Sequence, residues 1–199
     1  MDKYIIGVDE AGRGAIGGPV TAGAVLVPSS LSLKNLPRSG LRDSKKYTFS
    51  QREEWLNYIK GNSSINFEFS SVWPTVIDRI NVFESASRAA TRAVNRVIDR
   101  NKIDQKRVEI VLDGSLKLNS QDLDYEVITR GDQKRKSIKL ASIVAKVKRD
   151  QSMIRVSRKY PDYKFAKHKG YCTEEHEKLL KKNGPCKYHR RTFIQKIKT

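Results

Sequence analysis

The chain has 199 residues, of which 38% are hydrophobic, and a formal net charge of +18. That length suffices for one domain with a hydrophobic core. No apolar run approaches the ~20 residues of a membrane helix. The start, MDKYIIGVDE, lacks the basic and long apolar regions of a signal peptide, so a cytoplasmic protein with no membrane contact is expected.

The charge is unevenly placed. Residues 130–199 hold 22 Lys and Arg against 6 Asp and Glu, whereas residues 1–129 hold 18 against 16. A polyanion such as nucleic acid is the natural partner of such a segment, because cations that neutralise phosphates release condensed counterions. The bland alternative is a generically basic protein, in which the charge serves solubility. Cys172 and Cys186 are the only cysteines, and reduced thiols are expected.

In chain order, Tyr4–Val8 is a short apolar run that ends in acid, and Val20–Val27 is a second run of small and β-branched residues. The glycine-rich AGRGAIGGP lies between them. Residues 28–48 read as a long loop. Ser50 and Glu53 have the spacing of a capping box, which predicts a helix to about Lys60. Ile65–Val72 alternates as a strand does. Asn81–Arg100 predicts an amphipathic helix, with Val82, Phe83, Ala86, Ala90, Ala93, Val94, Val97 and Ile98 on one face and Arg88, Arg92, Arg96 and Arg100 on another. Val108–Leu112 and Tyr125–Thr129 read as strands. A long helix follows from about Ser137 to Lys159. Thr173 caps a last helix that stops at Asn183-Gly184-Pro185. This order describes an α/β layer with helices gathered toward the C-terminus.

Four acids fall where the pattern changes: Asp9 and Glu10 after the first strand, Asp113 at the end of an apolar strand, and Asp132 on a loop entering a helix. Clustered carboxylates repel one another, and burial adds to the cost. A hard divalent cation, Mg²⁺ or Mn²⁺, removes both problems. Neighbours on a regular strand point to opposite faces. Asp9 and Glu10 can therefore share a site only if the strand bends or ends there. For any one of these acids alone, a surface carboxylate or an ion-pair partner is the ordinary reading.

Gly12-Arg13-Gly14-Ala15-Ile16-Gly17 matches the G-x-G-x-x-G pattern, but Gly18-Pro19 and a β-like run follow instead of a helix. No acid occurs between Glu10 and Asp43 either, so a dinucleotide-binding fold is rejected. The element reads instead as a glycine-flanked arginine able to meet a phosphate. His168, Cys172, His176, Cys186 and His189 raise the question of zinc. Their spacing fits none of the usual zinc frameworks, and they read as core and surface residues.

GVDEAGRG, DSKK, LDG, GD, ASIVAKVKRD, FAKHKGY and HRRTF occur in that order. Together they resemble the sequence blocks of the ribonuclease HII family, the bacterial type-2 ribonucleases H, over nearly the whole chain. The resemblance implies a ribonuclease H-like fold, with a central mixed sheet flanked by helices and a basic helical C-terminal part from about residue 160. It implies that Asp9, Glu10, Asp113 and Asp132 are catalytic and hold two Mn²⁺ or Mg²⁺ ions. It places Gly12, Arg13 and Gly14 at the ribonucleotide 2′-hydroxyl and adjacent phosphate, and Tyr171 on the neighbouring deoxyribose. Ser44, Lys45 and Lys46 are placed near the substrate backbone. Asp150 is read as structural, paired with a nearby base. Ala15 stands where proline is usual in the family, Leu140 where alanine is frequent, and Cys172 where a small residue or proline is common.

The implied activity is endonucleolytic cleavage of the RNA strand of RNA–DNA hybrids. Incision 5′ of single ribonucleotides in duplex DNA is implied as well, leaving 3′-hydroxyl and 5′-phosphate ends. The expected partners are those nucleic acids. A monomer is expected, and a replication-clamp contact is left open. Two rivals stand beside this reading: a non-catalytic basic nucleic-acid binder, and a ribonuclease H-like nuclease acting on all-DNA substrates.

Overall fold

The computed structural model describes residues 3–195, apart from the side chain of Lys45. The first strand, β1 (Tyr4–Ala11), does not stop at Val8. It runs on through Asp9 and Glu10, antiparallel to β2 (Val20–Pro28), in a register from Tyr4↔Pro28 to Ala11↔Thr21. Helix α1 (Phe49–Gly61) starts earlier than the Ser50–Glu53 spacing predicts. The capping box is Thr48 with Gln51: each side-chain oxygen accepts the other's backbone N–H, at 3.3 and 2.9 Å. The two pairs have the same spacing, and the one just ahead of the helix caps it.

Strand β3 (Asn66–Val72) leads into α2 (Pro74–Ile80), a helix absent from the sequence reading. Only Pro74 and Ile77 of its seven residues are buried, too few to make a periodic stripe. Asn81, at φ +66°, separates it from α3 (Val82–Asn101). Its Oδ1 accepts the N–H groups of Phe83 and Glu84 at 2.9 and 3.0 Å. Strands β4 (Val108–Asp113) and β5 (Glu126–Ile128) follow, then α4 (Gly131–Lys134) and α5 (Lys136–Lys159). The chain continues through α6 (Phe165–His168), α7 (Glu174–Asn183) and α8 (Arg191–Ile194). The predicted Thr173 cap accepts the His176 N–H at 3.2 Å, and Gly184 at φ +68° ends α7. α4, α6 and α8 are short helices beyond those the sequence predicts, and Asp132 lies in the first turn of α4 rather than on a loop.

The sheet order is β3-β2-β1-β4-β5. The first three strands are antiparallel, and β1–β4 and β4–β5 are parallel. Alternation along β2 divides the core between its faces. Val20, Ala22, Ala24 and Leu26 pack with Ala86, Ala90 and Val94 of α3. Val25 and Val27 pack with α1 and with Leu140, Ile143 and Val144 of α5. Periodicity places Phe83 on the core face of α3, but it is 59% exposed.

Helix α5 lies unusually close to the sheet because glycines face it. A Cβ at Gly7 would stand 2.2 Å from the backbone carbon of Ser137, and one at Gly23 would stand 2.7 Å from the Ala141 oxygen. This close approach brings Ser142 to Asp9 at the end of the sheet. Among the described residues no helix is long and apolar enough to cross a membrane.

Candidate active site

The site begins at a fork in the sheet. β1 pairs with β2 as far as Ala11↔Thr21, but with β4 only as far as Val8↔Leu112. Asp9 is the residue after that last β4 pair on one strand, and Asp113 is the residue after it on the other. The parting of β1 from β4 sets Asp9 and Asp113 at matching strand positions, where each feels the other's charge, while β1 itself continues past Glu10.

Asp9 is 6% exposed. Burial holds its carboxyl well above the usual range, and the charges of Glu10 and Asp113 push it the same way. Hydrogen bonds from Ser142 and from the Glu10 N–H, the latter at 2.7 Å, pull in the other direction. Glu10 is raised chiefly by burial, opposed by Arg13 and reinforced by Asp113. Asp113 Oδ1 accepts the N–H groups of Gly131 and Asp132 at 2.6 and 3.3 Å. The first turn of α4, with its buried Asp132, is thereby tied to the end of β4.

Arg13 Nη1 donates to Glu10 Oε1 at 3.1 Å and to Ser115 Oγ at 3.0 Å. Among the described residues, no three Asp, Glu, His or Cys side chains stand at the spacing of a metal-coordinating set. The donor chemistry nonetheless suits a hard cation: carboxylates that repel one another, in a place where burial makes charge costly. Arg13 already engages one oxygen of Glu10 and so competes with such a cation for it.

The glycine loop is held from below by two fully buried arginines. Arg149 donates to the carbonyls of Pro19, Gly17 and Lys169 at 2.9, 3.2 and 2.9 Å. Arg190 donates to those of Gly18, Arg13 and Gly12 at 3.1, 2.8 and 2.7 Å. Burial, and then the charge of Arg149, lower Arg190 to about 9, so it stays cationic at neutral pH. Gly12 has φ +94°, and a Cβ there would stand 1.9 Å from Arg149 Nε. Only glycine fits that position. Gly14 is exposed, with nothing near its missing Cβ.

Tyr171 lies over Arg149, with 4.9 Å from the guanidinium carbon to the ring centre, and Lys146 Nζ is 5.2 Å from the same ring. Its carbonyl ends a directional chain of imidazoles. His189 Nδ1 accepts the Cys186 N–H at 3.0 Å, so its proton resides on Nε2. That proton is donated to His176 Nε2 at 3.1 Å, and His176 Nδ1–H donates to the Tyr171 oxygen at 2.9 Å. Burial holds both imidazoles neutral, at about 4. His168 stacks on His176 at 4.0 Å. His168 Nδ1 accepts the Gly170 N–H at 3.2 Å and its Nε2–H donates to the Tyr163 carbonyl at 2.7 Å, so all three buried histidines are committed to partners within the protein, and Cys172 is an exposed free thiol. This agrees with the reading of these residues as core and surface.

Ser44 is buried, and its Oγ lies 2.7 Å from Ser142 Oγ, one hydrogen bond removed from Asp9. Lys46 is exposed, and the Lys45 side chain lies outside the described residues. Asp150 pairs with Lys146 at 3.0 Å and Arg52 at 3.5 Å, as a structural acid would. Sequence reasoning missed Ser142, Arg149 and Arg190. The two arginines sit in basic stretches and look like phosphate binders; only their complete burial shows that they bind the protein's own backbone.

The ribonuclease HII family model matches residues 6–196. The chain belongs to the ribonuclease HII family. A relative named Ribonuclease HII from Caldicellulosiruptor bescii is 41% identical over 195 residues, covering 98% of this chain and 88% of that protein. The ribonuclease H2 from Pyrococcus horikoshii superposes with a TM-score of 0.71 at 26% identity, covering 95% of this chain and 93% of that one. Bst-RNase HIII, in a structure with Mn²⁺, superposes with a TM-score of 0.70 at 15% identity, covering 96% and 67%. The five-stranded mixed sheet with flanking helices is therefore the ribonuclease H-like fold, and the chain is a ribonuclease H, a hydrolase.

Proposed function

We propose that this ribonuclease cuts the RNA strand of RNA–DNA hybrids and incises duplex DNA 5′ of single ribonucleotides. The observation that carries the reading is the fork after Val8 and Leu112, which sets Asp9 and Glu10 beside Asp113 and, through the Gly131–Asp132 amides, Asp132. The net reaction is hydrolysis. Water oxygen joins phosphorus, the bond from phosphorus to the 3′ oxygen breaks, and a proton ends on that oxygen, leaving 3′-hydroxyl and 5′-phosphate.

Asp9, Glu10, Asp113 and Asp132 would hold two Mg²⁺ or Mn²⁺ ions, and Mn²⁺ is present in the Bst-RNase HIII structure. When bound, such ions supply Lewis-acid stabilisation of charge building on the phosphodiester and ease deprotonation of water. Ser142, backed by Ser44, orients the Asp9 carboxylate. Arg13 pairs with a substrate phosphate. Gly14, exposed and with open space at its missing Cβ, lets the strand approach the backbone, where the 2′-hydroxyl distinguishes RNA from DNA, while Gly12 gives the turn its shape against Arg149. Tyr171, fixed by its carbonyl and by Arg149, packs on the adjoining deoxyribose. Lys45, Lys46 and the basic last third hold backbone phosphates without reading sequence. We read residues 1–199 as one catalytic domain that acts as a monomer.

The test is a labelled duplex with one ribonucleotide, incubated with Mg²⁺ or Mn²⁺ beside an all-DNA duplex and a long hybrid. The expected result is a cut 5′ of the ribonucleotide, cleavage of the hybrid and no cut in all-DNA. Equal cleavage of the all-DNA duplex would overturn the substrate reading. Binding without any cleavage would favour a non-catalytic binder.

A further inference from the structure

Arg149 stands between the two elements to which the substrate reading gives recognition. Its Nε donates to the Pro19 carbonyl and its Nη2 to that of Gly17, both in the glycine loop. Nη2 also donates to the carbonyl of Lys169, two residues before Tyr171. The Tyr171 ring covers the same guanidinium, with its centre 4.9 Å from the guanidinium carbon. One fully buried side chain thus touches both elements. The two also meet directly, since the Gly17 N–H donates to the Gly170 carbonyl at 3.0 Å. Gly170, at φ +80°, lies so close that a Cβ there would stand 2.3 Å from the Gly17 oxygen.

The same helix ties both elements to the acids. Ser142 and Arg149 lie seven residues apart on α5, so they share a face about 10 Å apart along its axis. At one end of that interval Ser142 bonds Asp9, and at the other Arg149 bonds the loop and carries the ring. Lys146, between them, sits 5.2 Å from the centre of the Tyr171 ring. The guanidinium is a costly way to fill this space. Its Nη1 is buried and, among the described residues, has no hydrogen-bond partner. An unpaired buried donor destabilises the fold, and an apolar side chain would avoid that cost. What an apolar side chain lacks is the fork that holds two segments at once.

We infer that Arg149 is a positioning residue for substrate selectivity: it fixes the spacing between the glycine loop, which meets the ribonucleotide, and Tyr171, which packs on the deoxyribose after it. The inference rests on the substrate reading above. A single ribonucleotide in DNA engages both elements, whereas a long hybrid offers Tyr171 only ribose. Arg149 therefore sets how strongly the first substrate is preferred over the second. Lysine keeps the charge at this position but has no planar fork, so it cannot hold the loop, the Lys169 carbonyl and the ring together.

The experiment uses the full chain with Arg149→Lys and Arg190→Lys, and reads kcat/KM on a duplex with one ribonucleotide against a long hybrid. Arg190 is the comparison because it donates to the Gly12, Arg13 and Gly18 carbonyls, all within the loop. Arg149→Lys is expected to lose about a hundredfold on the single ribonucleotide, the cost of an ångström-scale misplacement, and much less on the hybrid. Arg190→Lys should lower both alike and leave their ratio in place. In a Tyr171→Ala background, Arg149→Lys should no longer move the ratio. Equal losses on the two substrates in Arg149→Lys, or a further fall in the ratio without the tyrosine, would overturn the inference. Should Arg149→Lys fail to fold in denaturant melts, hydrogen exchange of the wild type decides. The Gly17 N–H, bonded to Gly170, and the Tyr171 N–H, bonded to His168, should then open with one free energy. A Gly17 amide that opens while Tyr171 stays closed would sink the idea. If the wild type binds both substrates and cuts neither, the nuclease reading fails, and the same ratio taken from Kd values decides the role of Arg149.

Discussion

Arg13 and Glu10 are joined at 3.1 Å, so the arginine competes with a cation for that carboxylate. Glu10 belongs among the acids, and Arg13 belongs on a phosphate. In the free protein the pair satisfies both groups and lessens the carboxylate crowding around Asp9. Removing the arginine should therefore strengthen cation binding while it weakens substrate binding. Arg13→Gln is expected to tighten Mn²⁺ binding to the free protein by up to about fivefold, the range of a partly exposed ion pair. Calorimetry with Mn²⁺ alone measures the first effect, and KM on the ribonucleotide duplex, which should rise, measures the second. Weaker Mn²⁺ binding in the variant would show that the pair does not compete with the ion.

Asp9→Asn keeps the shape of the side chain and removes its charge. It is expected to bind the duplex and to cut it at least about a hundredfold more slowly, beyond the ~10–100-fold usual for groups that only support a ligand. Full activity in Asp9→Asn would mean that the site is misassigned. Ser142→Ala removes the hydrogen bond to Asp9 together with the one to Ser44 and leaves the carboxylate's charge in place, so a loss of about tenfold in kcat is expected. Ser44→Ala, one bond further out, should lose less. Single-turnover rates on the same duplex order the three variants.

Gly12→Ala and Gly14→Ala should separate cleanly. At Gly12 both the φ of +94° and the 1.9 Å approach to Arg149 oppose a side chain, whereas nothing lies within 4 Å at Gly14. The Gly12 variant is expected to lose about 1–3 kcal/mol of stability from backbone strain alone, visible in denaturant melts. The Gly14 variant should melt like the wild type. Any loss of cleavage in that variant would then report on substrate approach.

Acid should weaken the His189–His176 chain. Each imidazole titrates at about 4 in the fold, against an ordinary value near 6.5. Below pH 6.5 the unfolded chain takes up protons that the folded one refuses, so stability present above that pH is lost progressively toward pH 4. Asp9 and Glu10, whose carboxyls are raised, contribute with the opposite sign. The comparison is therefore between wild type and a His176→Asn/His189→Asn double variant. Tm plotted against pH should fall less steeply in the variant between pH 6.5 and 4; parallel curves would contradict the assignment.

Much of this architecture is legible in the residues. The strand read over Ile65–Val72, the apolar stripe of α3 and the Thr173 cap each follow from local chemistry, and each is present, although Ser70 on the polar side of the strand is buried. What escaped depends on pairing between distant segments. β1 reads as ending at Val8 because acid follows, yet its hydrogen bonds to β2 continue, and only the loss of β4 opens the site. Phe83 falls on the apolar side by periodicity but lies where the stripe runs out into solvent. Arg149 and Arg190 resemble any other cation in a basic stretch. Their six carbonyl partners lie some 20 to 178 positions away along the chain, a separation that no local pattern encodes.

Arg190 has a consequence for what a shortened chain would keep. The glycine loop and the guanidinium that grips its Gly12 and Arg13 carbonyls lie more than 170 positions apart. A chain cut before residue 190 would retain all four acids and every strand of the sheet, with Arg149 alone on the loop carbonyls of Gly17 and Pro19. The loss would be felt first at the turn beside Asp9 and Glu10, far along the chain from the cut.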